Sequence, residues 1–148
     1  MPNIRTKPDT LDEDVRRFAQ TPLRRPLFLN SVPKSGTHLL RNILRMFAPV
    51  EQHYGVEFIQ HPNLHQHLAA FDPAHNRLSC GHLLFSDAAV VELHGVRKIL
   101  LYRDPYSWVL ARARFFLSDE FEGNLDLIKS GRLNIPSLLN LMILGIYQ

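Results

Sequence analysis

One stretch near the start of the chain limits the possible folds more than any other. Leu27–Val32 is a short apolar run of the length typical of a buried strand. A polar loop, Pro33–Thr37, follows it, and apolar residues then recur at helical spacing from Thr37 to Phe47. We therefore expect a buried strand that leads through a short loop into an amphipathic helix. Its apolar face is predicted to hold Leu39, Leu40, Ile43, Leu44 and Phe47, opposite Arg41, Asn42 and Arg45.

The alternation of strand and helix continues along the chain. Val96–Tyr102 predicts another strand, and a helix is expected to begin at Asp104, which can cap it, and Pro105, which fits a first turn, and to reach about Leu117. Strands that alternate with helices predict an α/β fold, a three-layer parallel sheet with helices on both faces. The other predicted elements are a strand at Arg77–Cys80 and helices at Asp87–His94, Glu120–Lys129 and Pro136–Tyr147.

The N-terminal residues differ from the rest in composition. Residues 1–10 are predicted to form a loose tail, and Leu11–Gln20 a short helix with Thr10 and Glu13 as a capping box. We therefore divide the chain into an N-terminal tail and short helix at residues 1–25 and one domain at residues 26–148. Residues 50–76 have little periodicity, and no element is predicted there.

Composition limits the classes of function. The chain has 148 residues, the size of one domain, and its 45% hydrophobic content is typical of globular proteins. No apolar stretch has the length of a membrane helix, and the N-terminus has no signal-peptide core, so we expect a soluble, cytoplasmic protein without membrane contact. The net charge is +3, and 13 of the 17 cations are Arg, which suits forked recognition of phosphate. No basic run is present, which argues against nucleic acid as a partner.

The loop at Pro33–Thr37 has the chemistry of an anion site. A helix N-terminus presents unpaired N–H groups and the positive end of a dipole, and Gly36 allows an anion to approach closely. Lys34 adds a positive charge, and Ser35 and Thr37 add hydroxyl groups. The triphosphate-binding pattern G-x-x-x-x-G-K-[ST] is absent, because Lys34 precedes Gly36, so we expect an anion to bind without a metal. The alternative is an ordinary turn with a surface Lys.

The sequence PKSGT resembles the 5′-phosphosulfate loop of the sulfotransferases that use 3′-phosphoadenosine 5′-phosphosulfate (PAPS). In that family the loop also follows the first strand. The resemblance implies that Lys34 stabilises charge on the departing phosphate oxygen. It also implies that the phosphosulfate is surrounded by Lys34, Ser35, Gly36, Thr37, His38 and Leu39.

A second anion element follows the strand at Val96–Tyr102. Arg103 stands at the carboxyl end of this strand and directly before a helix, where ligands bind in open α/β sheets. Read alone, it is also compatible with an Arg that pairs with a surface carboxylate. The strand and the YRDP sequence are similar to the family's 3′-phosphate segment, which implies that Arg103 holds that phosphate. The family usually has a Ser eight residues later, and this chain has Ala111 instead.

His82 is the candidate general base. Arg77–Asp87 resembles the family segment that carries the catalytic histidine about twenty residues before the 3′-phosphate Arg. The Lys often found two positions before that histidine is Cys80 here, and the following Pro is Leu84. The alternative for His82 is a structural loop histidine. Cys80 itself is interpreted as a small buried residue rather than a nucleophile.

Other residues have simpler interpretations. His61 and His65 have the spacing of two metal ligands on one helical turn, but Pro62 interrupts them and no nearby Cys completes a site. We therefore predict no metal site, and expect the histidines of residues 53–75 to be solvated or to contact an acceptor. Trp108 and the neighbouring Phe115 and Phe116 are expected in the core.

These features favour a PAPS-dependent sulfotransferase with a small-molecule or glycan acceptor. The resemblance covers roughly residues 26–148, the front half of a family domain, so the predicted fold is the P-loop-like sulfotransferase fold in truncated form. The alternative is a non-catalytic or incomplete module that binds adenosine 3′,5′-bisphosphate, and a small-molecule kinase comes third. The apolar helix at Pro136–Tyr147 is a candidate surface for a homo-oligomer.

Overall fold

The structure, a computed structural model, contains a four-stranded sheet whose strands are all parallel. It describes residues 10–55, 58–83, 87–118 and 130–143. The strands are β1 (Leu27–Ser31), β2 (Ile59–Gln60), β3 (Leu78–His82) and β4 (Arg97–Leu101). Their order across the sheet is β2-β3-β1-β4. The predicted α/β class and the parallel sheet are therefore confirmed.

Five α-helices lie in the part of the chain that the structure describes. They are α1 (Leu11–Val15), α2 (Thr37–Phe47), α3 (Asp87–Glu92), α4 (Pro105–Phe116) and α5 (Ile135–Ile143). Short 3-10 helices occupy Val50–Gln52, His61–Gln66 and Leu68–Phe71. The predicted helix at Glu120–Lys129 lies outside the described residues, as does the stretch that would extend α5 to Tyr147.

The described residues form two compact units. The first contains residues 10–32, 36–55, 58–83 and 87–101, and thus the whole sheet with α1, α2 and α3. The second contains residues 33–35, 102–118 and 130–143, with α4 and α5. The domain boundary expected near residue 26 stays a prediction.

Strand β1 is the centre of the first unit. It pairs with β3 on one side and with β4 on the other, and Phe28 and Leu29 are completely buried. The ring of Phe28 meets the ring of Phe71 edge-on, with centroids 5.6 Å apart. Burial on both faces explains why the strand begins with three consecutive apolar residues, Leu27 to Leu29, rather than with an alternating pattern.

Strand β2 has no counterpart in the sequence predictions. It has two residues, and only Ile59 is buried, so it leaves almost no periodic pattern. Its register pairs Ile59 with Gly81 of β3. An added Cβ at Gly81 would come within 2.0 Å of the Ile59 carbonyl oxygen, so glycine is what permits this strand pair.

The predicted core face of α2 is wrong in part. Leu39, Ile43 and Phe47 form a stripe that is 68%, 40% and 62% exposed, whereas Arg45 is buried. Arg45 can occupy the inner face of the helix because it forms an ion pair with Asp12 of α1. Helical periodicity correctly predicts the helix but not which of its faces is buried.

Helix α1 is shorter than predicted, and its capping box is absent. The Thr10 side chain makes no capping hydrogen bond and instead donates from Oγ1 to Asp14 Oδ2 at 2.9 Å. The helix is attached through Val15, which is fully buried, and through the ion pair of Asp12. The hydrogen bond from Arg45 to this carboxylate is the main reason that the pKa of Asp12 lies below its ordinary value.

The second unit is built on the packing of α4 against α5. Asp104 caps α4 as predicted, since its Oδ1 accepts a hydrogen bond from the Ser107 N–H at 2.9 Å. Helix α5 buries Leu138 and Met142 in a cluster with Ala113, while its two terminal isoleucines are exposed. One face of this apolar helix is therefore covered within the unit. Among the described residues, no helix has both the length and the apolar character needed to cross a membrane.

We predict that Gly81→Ala destabilises the first unit strongly. The new methyl group would overlap the backbone of Ile59, and relief requires β2 to move, so we expect a loss of about 1–3 kcal/mol in the free energy of unfolding. Ser79→Ala in the same strand is the matched control, because Ser79 Oγ is buried with no hydrogen-bond partner among the described residues. Urea denaturation that gives equal midpoints for the two variants would contradict this account of Gly81.

We also predict an acid-sensitive component of stability from Asp12. Because its pKa is lowered by folding, the stabilisation is fully present above the unfolded value of about 3.9 and is lost as pH falls through the folded value. Asp12→Asn should cost about 1 kcal/mol at neutral pH, since this carboxylate is half exposed, and less towards pH 3. Glu13→Gln is the control. An Asp12→Asn deficit that does not change with pH would contradict the assignment.

Candidate functional site

The carboxyl ends of β1 and β3 bring two polar residues together. The register pairs Asn30 with Gly81, so the next residues, Ser31 and His82, stand side by side. The Asn30 amide also donates from Nδ2 to the Leu83 carbonyl oxygen and accepts from the Leu83 N–H, each at 3.0 Å. These two bonds hold the chain beyond β3 against the end of β1. This edge of a parallel sheet is where ligands bind in open α/β folds.

A hydrogen bond to the backbone fixes the protonation pattern of His82. Its Nδ1 lies 2.7 Å from the Ser31 carbonyl oxygen and 3.2 Å from Ser31 Oγ. A carbonyl oxygen can only accept, so Nδ1 carries the proton and Nε2 of the neutral ring keeps its lone pair. This tautomer is the one that a histidine needs to take a proton through Nε2.

Ser31 links His82 to the start of α2. Its Oγ lies 2.7 Å from Thr37 Oγ1 and donates weakly to the Gly81 carbonyl oxygen at 3.3 Å. Ser31 and Thr37 are both buried, so their hydroxyl groups are held in fixed positions. The helix begins directly after Gly36, whose φ of 101° is in the left-handed region that favours glycine. Its first N–H groups have no acceptor within the helix and are oriented to meet an anion.

Aromatic side chains line the His82 ring. Phe58 stacks on it with centroids 5.2 Å apart and planes at 12°, and His38 meets Phe58 edge-on at 5.1 Å. The Arg41 guanidinium lies 5.7 Å from the Phe58 centroid. Two of the predicted site residues, His38 and His82, therefore contact the same ring. Leu39, the last residue of the predicted phosphosulfate set, is exposed.

The second unit holds the other predicted residues. Lys34 has a φ of 65°, and its Nζ lies 3.3 Å from the centroid of the Phe115 ring. The Trp108 Nε1–H donates to the Pro33 carbonyl oxygen at 2.8 Å, so this tryptophan is not simply a core residue as expected. Ser35 Oγ is buried and has no hydrogen-bond partner within the described ranges. Arg103 is exposed and directly precedes Asp104, the cap of α4.

Several of these neighbours were not predicted from the sequence. Ser31 ends the predicted strand, and only the pairing of β1 with β3 brings it to His82. Phe58 lies in the stretch without periodicity, and nothing in the sequence distinguishes it. Phe115 was expected in the core, yet its ring contacts the Lys34 ammonium.

Cys80 has the properties predicted for it. It is 4% exposed, and burial raises the pKa of its thiol above the ordinary value. The thiol is therefore protonated near neutral pH and is a poor nucleophile.

The other histidines have structural partners or are exposed. His53 Nε2 donates to the Ala48 carbonyl oxygen at 3.0 Å, and His67 Nδ1 lies 3.1 Å from the Tyr54 hydroxyl. His61 and His65 are exposed. Within the described ranges, no group of three or more metal-ligating side chains is found.

Comparisons with models of protein families, with curated proteins and with solved structures find no match to this chain.

We predict that the neutral His82 ring is the Nδ1–H tautomer. Two-bond ¹⁵N–¹H correlation spectra of the histidine side chains distinguish the two tautomers directly. His94 is exposed and serves as the internal reference. A neutral His82 protonated on Nε2 would mean that the contact with the Ser31 carbonyl oxygen does not form in solution.

Proposed function

We propose that the chain is a sulfotransferase, or the front part of one, that transfers the sulfuryl group of PAPS to a hydroxyl or amine acceptor. The observation that supports this most is the series of hydrogen bonds from His82 through Ser31 to Thr37. This series links a histidine that has a free Nε2 lone pair to Thr37, the first residue of α2 and the last residue of the PKSGT loop. Sulfuryl transfer to a hydroxyl or amine benefits from a base near the acceptor and from a site that holds the phosphosulfate anion.

The proposed reaction is a single in-line displacement at sulfur. The acceptor oxygen or nitrogen attacks the sulfur atom while the bond from sulfur to the 5′-phosphate oxygen breaks. The electron pair of that bond leaves with adenosine 3′,5′-bisphosphate, and the acceptor proton passes to His82 Nε2. Lys34 and the N–H groups at the start of α2 stabilise the negative charge on the departing oxygen. No step uses a metal.

Two sets of residues bind the nucleotide in this proposal. Arg103 holds the 3′-phosphate. The 5′-phosphosulfate is held by Lys34, Ser35, Gly36, Thr37, His38 and Leu39. Gly36 suits this role because its left-handed backbone and absent side chain leave the helix start open to an anion. The buried Ser35 hydroxyl, which has no partner within the described part of the chain, is available as a donor.

The fold proposed for the chain is the P-loop-like sulfotransferase fold, and the all-parallel sheet is compatible with it. The acceptor is a small molecule or a glycan, and the site of action is the cytoplasm.

A second candidate function is a module that binds adenosine 3′,5′-bisphosphate without catalysing transfer. Cys80 stands where the family often has a Lys, and a buried thiol cannot supply the positive charge of an ammonium group to the reaction. Ala111 likewise has no hydroxyl to offer a phosphate. Cys80 weakens the case for catalysis, Ala111 removes one phosphate contact, and the two anion segments with Lys34 and Arg103 remain in place.

We predict that the 148-residue chain binds adenosine 3′,5′-bisphosphate and does not bind ATP with Mg²⁺. Lys34→Ala and Arg103→Ala should each weaken binding roughly 10- to 100-fold, because each removes a charged contact worth about 1.5–3 kcal/mol. Isothermal titration calorimetry measures both effects. Matched controls are Lys98→Ala and Arg97→Ala, which remove exposed cations of β4 and should bind as the unchanged chain does.

The outcomes separate the candidate functions. Transfer of labelled sulfate from PAPS to any member of an acceptor panel, with loss of transfer but not of binding in His82→Gln, supports the enzyme. Binding without transfer supports the module. A folded chain that does not bind the bisphosphate, or that binds ATP–Mg²⁺ better, contradicts both.

A further inference from the structure

Two side chains of α4 hold the first residues of the PKSGT loop. Trp108 donates its indole N–H to the Pro33 carbonyl oxygen at 2.8 Å. Phe115 lies under the Lys34 side chain, with Nζ 3.3 Å from the ring centroid. All four residues belong to the second unit. The loop therefore has one backbone contact and one side-chain contact on the same helix.

The spacing of these residues makes the arrangement possible. Trp108 and Phe115 are seven positions apart, which is two helical turns, so both project from the same side of α4. Ala111 lies between them on that side, and its methyl group cannot make a hydrogen bond. Position 111 is where the family usually has its phosphate-binding Ser. In this chain the same face of α4 carries the Phe115 ring one turn later.

The contact with Phe115 restricts a side chain that is otherwise highly flexible. Lys has four rotatable side-chain bonds, and ordering them costs entropy when an anion binds. A cation over an aromatic face is attracted by the ring quadrupole. One side of the ammonium then faces the ring, and the N–H donors on its other side remain directed away from the ring. The loop also holds Lys34 in the left-handed backbone region, with φ of 65°, which a non-glycine residue adopts only when its surroundings enforce it.

We propose that Phe115 is the positioning residue for Lys34, holding its ammonium group in place for the phosphosulfate, while Trp108 fixes the loop that carries it. This inference rests on the proposed function, in which Lys34 contacts the nucleotide. Phe115 itself does not touch the ligand and acts through Lys34.

Removing the ring should weaken binding only while Lys34 is present. Phe115→Leu is expected to raise the Kd for adenosine 3′,5′-bisphosphate roughly two- to fivefold, the range that an exposed cation–π contact provides. Phe115→Tyr keeps the π face and should restore the original Kd. In a Lys34→Ala background, Phe115→Leu should have no further effect. Phe116→Leu, the same substitution one residue along, is the control, because that ring faces Arg112 at 5.5 Å instead.

Three binding results would overturn the inference. An unchanged Kd in Phe115→Leu means that the ring does not position Lys34. An equal loss in the Lys34→Ala background means that Phe115 acts on the fold alone. Tighter binding by Phe115→Leu means that the ring competes with the ligand for the ammonium. Melting temperatures of all variants identify any that are unfolded.

A ligand-free readout separates this inference from the proposed function. A ring below the ammonium shifts the Lys34 ε-methylene protons upfield, and Phe115→Leu should abolish that shift in the NMR spectrum. If the unchanged chain has the shift but binds no bisphosphate, the proposed function fails. The contact between Lys34 and Phe115 then exists but has no role in binding, so the positioning role is overturned as well. If the shift is absent and the bisphosphate binds, the proposed function stands and the inference fails.

Discussion

The pairing of β1 with two parallel neighbours is the constraint on which the first unit depends. Phe28 and Leu29 point to opposite faces of the sheet and are both fully buried, so both faces of the strand are covered, while β3 and β4 pair with its two edges. The same pairing decides what stands at the carboxyl end, since a shift of one residue would reverse the direction of every side chain. In the observed register, Ser31 meets His82 and the chain then enters the loop before α2. The geometry of the candidate base is thus a consequence of strand register.

Elements that carry their own local signals could be predicted from the sequence. Strand β1 begins with three apolar residues, strand β4 ends with three, and Asp104 with Pro105 starts α4 where these residue types are favoured. Strand β2 has only two residues and is defined by its pairing with β3, so no local pattern could indicate it. It also depends on Gly81, whose missing side chain matters only because Ile59 lies against it. Information of that kind is not local in the sequence.

Helix α2 illustrates a different limit. Its periodicity is strong, and the helix forms where it is predicted. The burial is not as predicted, because Arg45 occupies the inner face with Asp12, a partner 33 residues away, while Leu39 and Phe47 are exposed. A hydrophobic pattern records the kind of side chain at each position but not whether a charged one has a partner. A buried charge that has a partner costs far less than an isolated one, so the pattern alone cannot determine which face is buried.

The candidate site contains features that the sequence could predict and features that depend on contacts between distant residues. The PKSGT loop and the YRDP segment with Arg103 are contiguous motifs, so the sequence alone is enough to predict them as anion-binding elements. What His82 can do depends instead on a main-chain oxygen of the neighbouring strand, because Nδ1–H donates a hydrogen bond to the Ser31 carbonyl oxygen and Nε2 is left as the acceptor. Any other residue at position 31 would offer the same carbonyl oxygen, whereas the link onward to Thr37 requires a hydroxyl group there. The role proposed for His82 therefore depends on the backbone of the fold, and the connection of His82 to the PKSGT loop depends on one side chain.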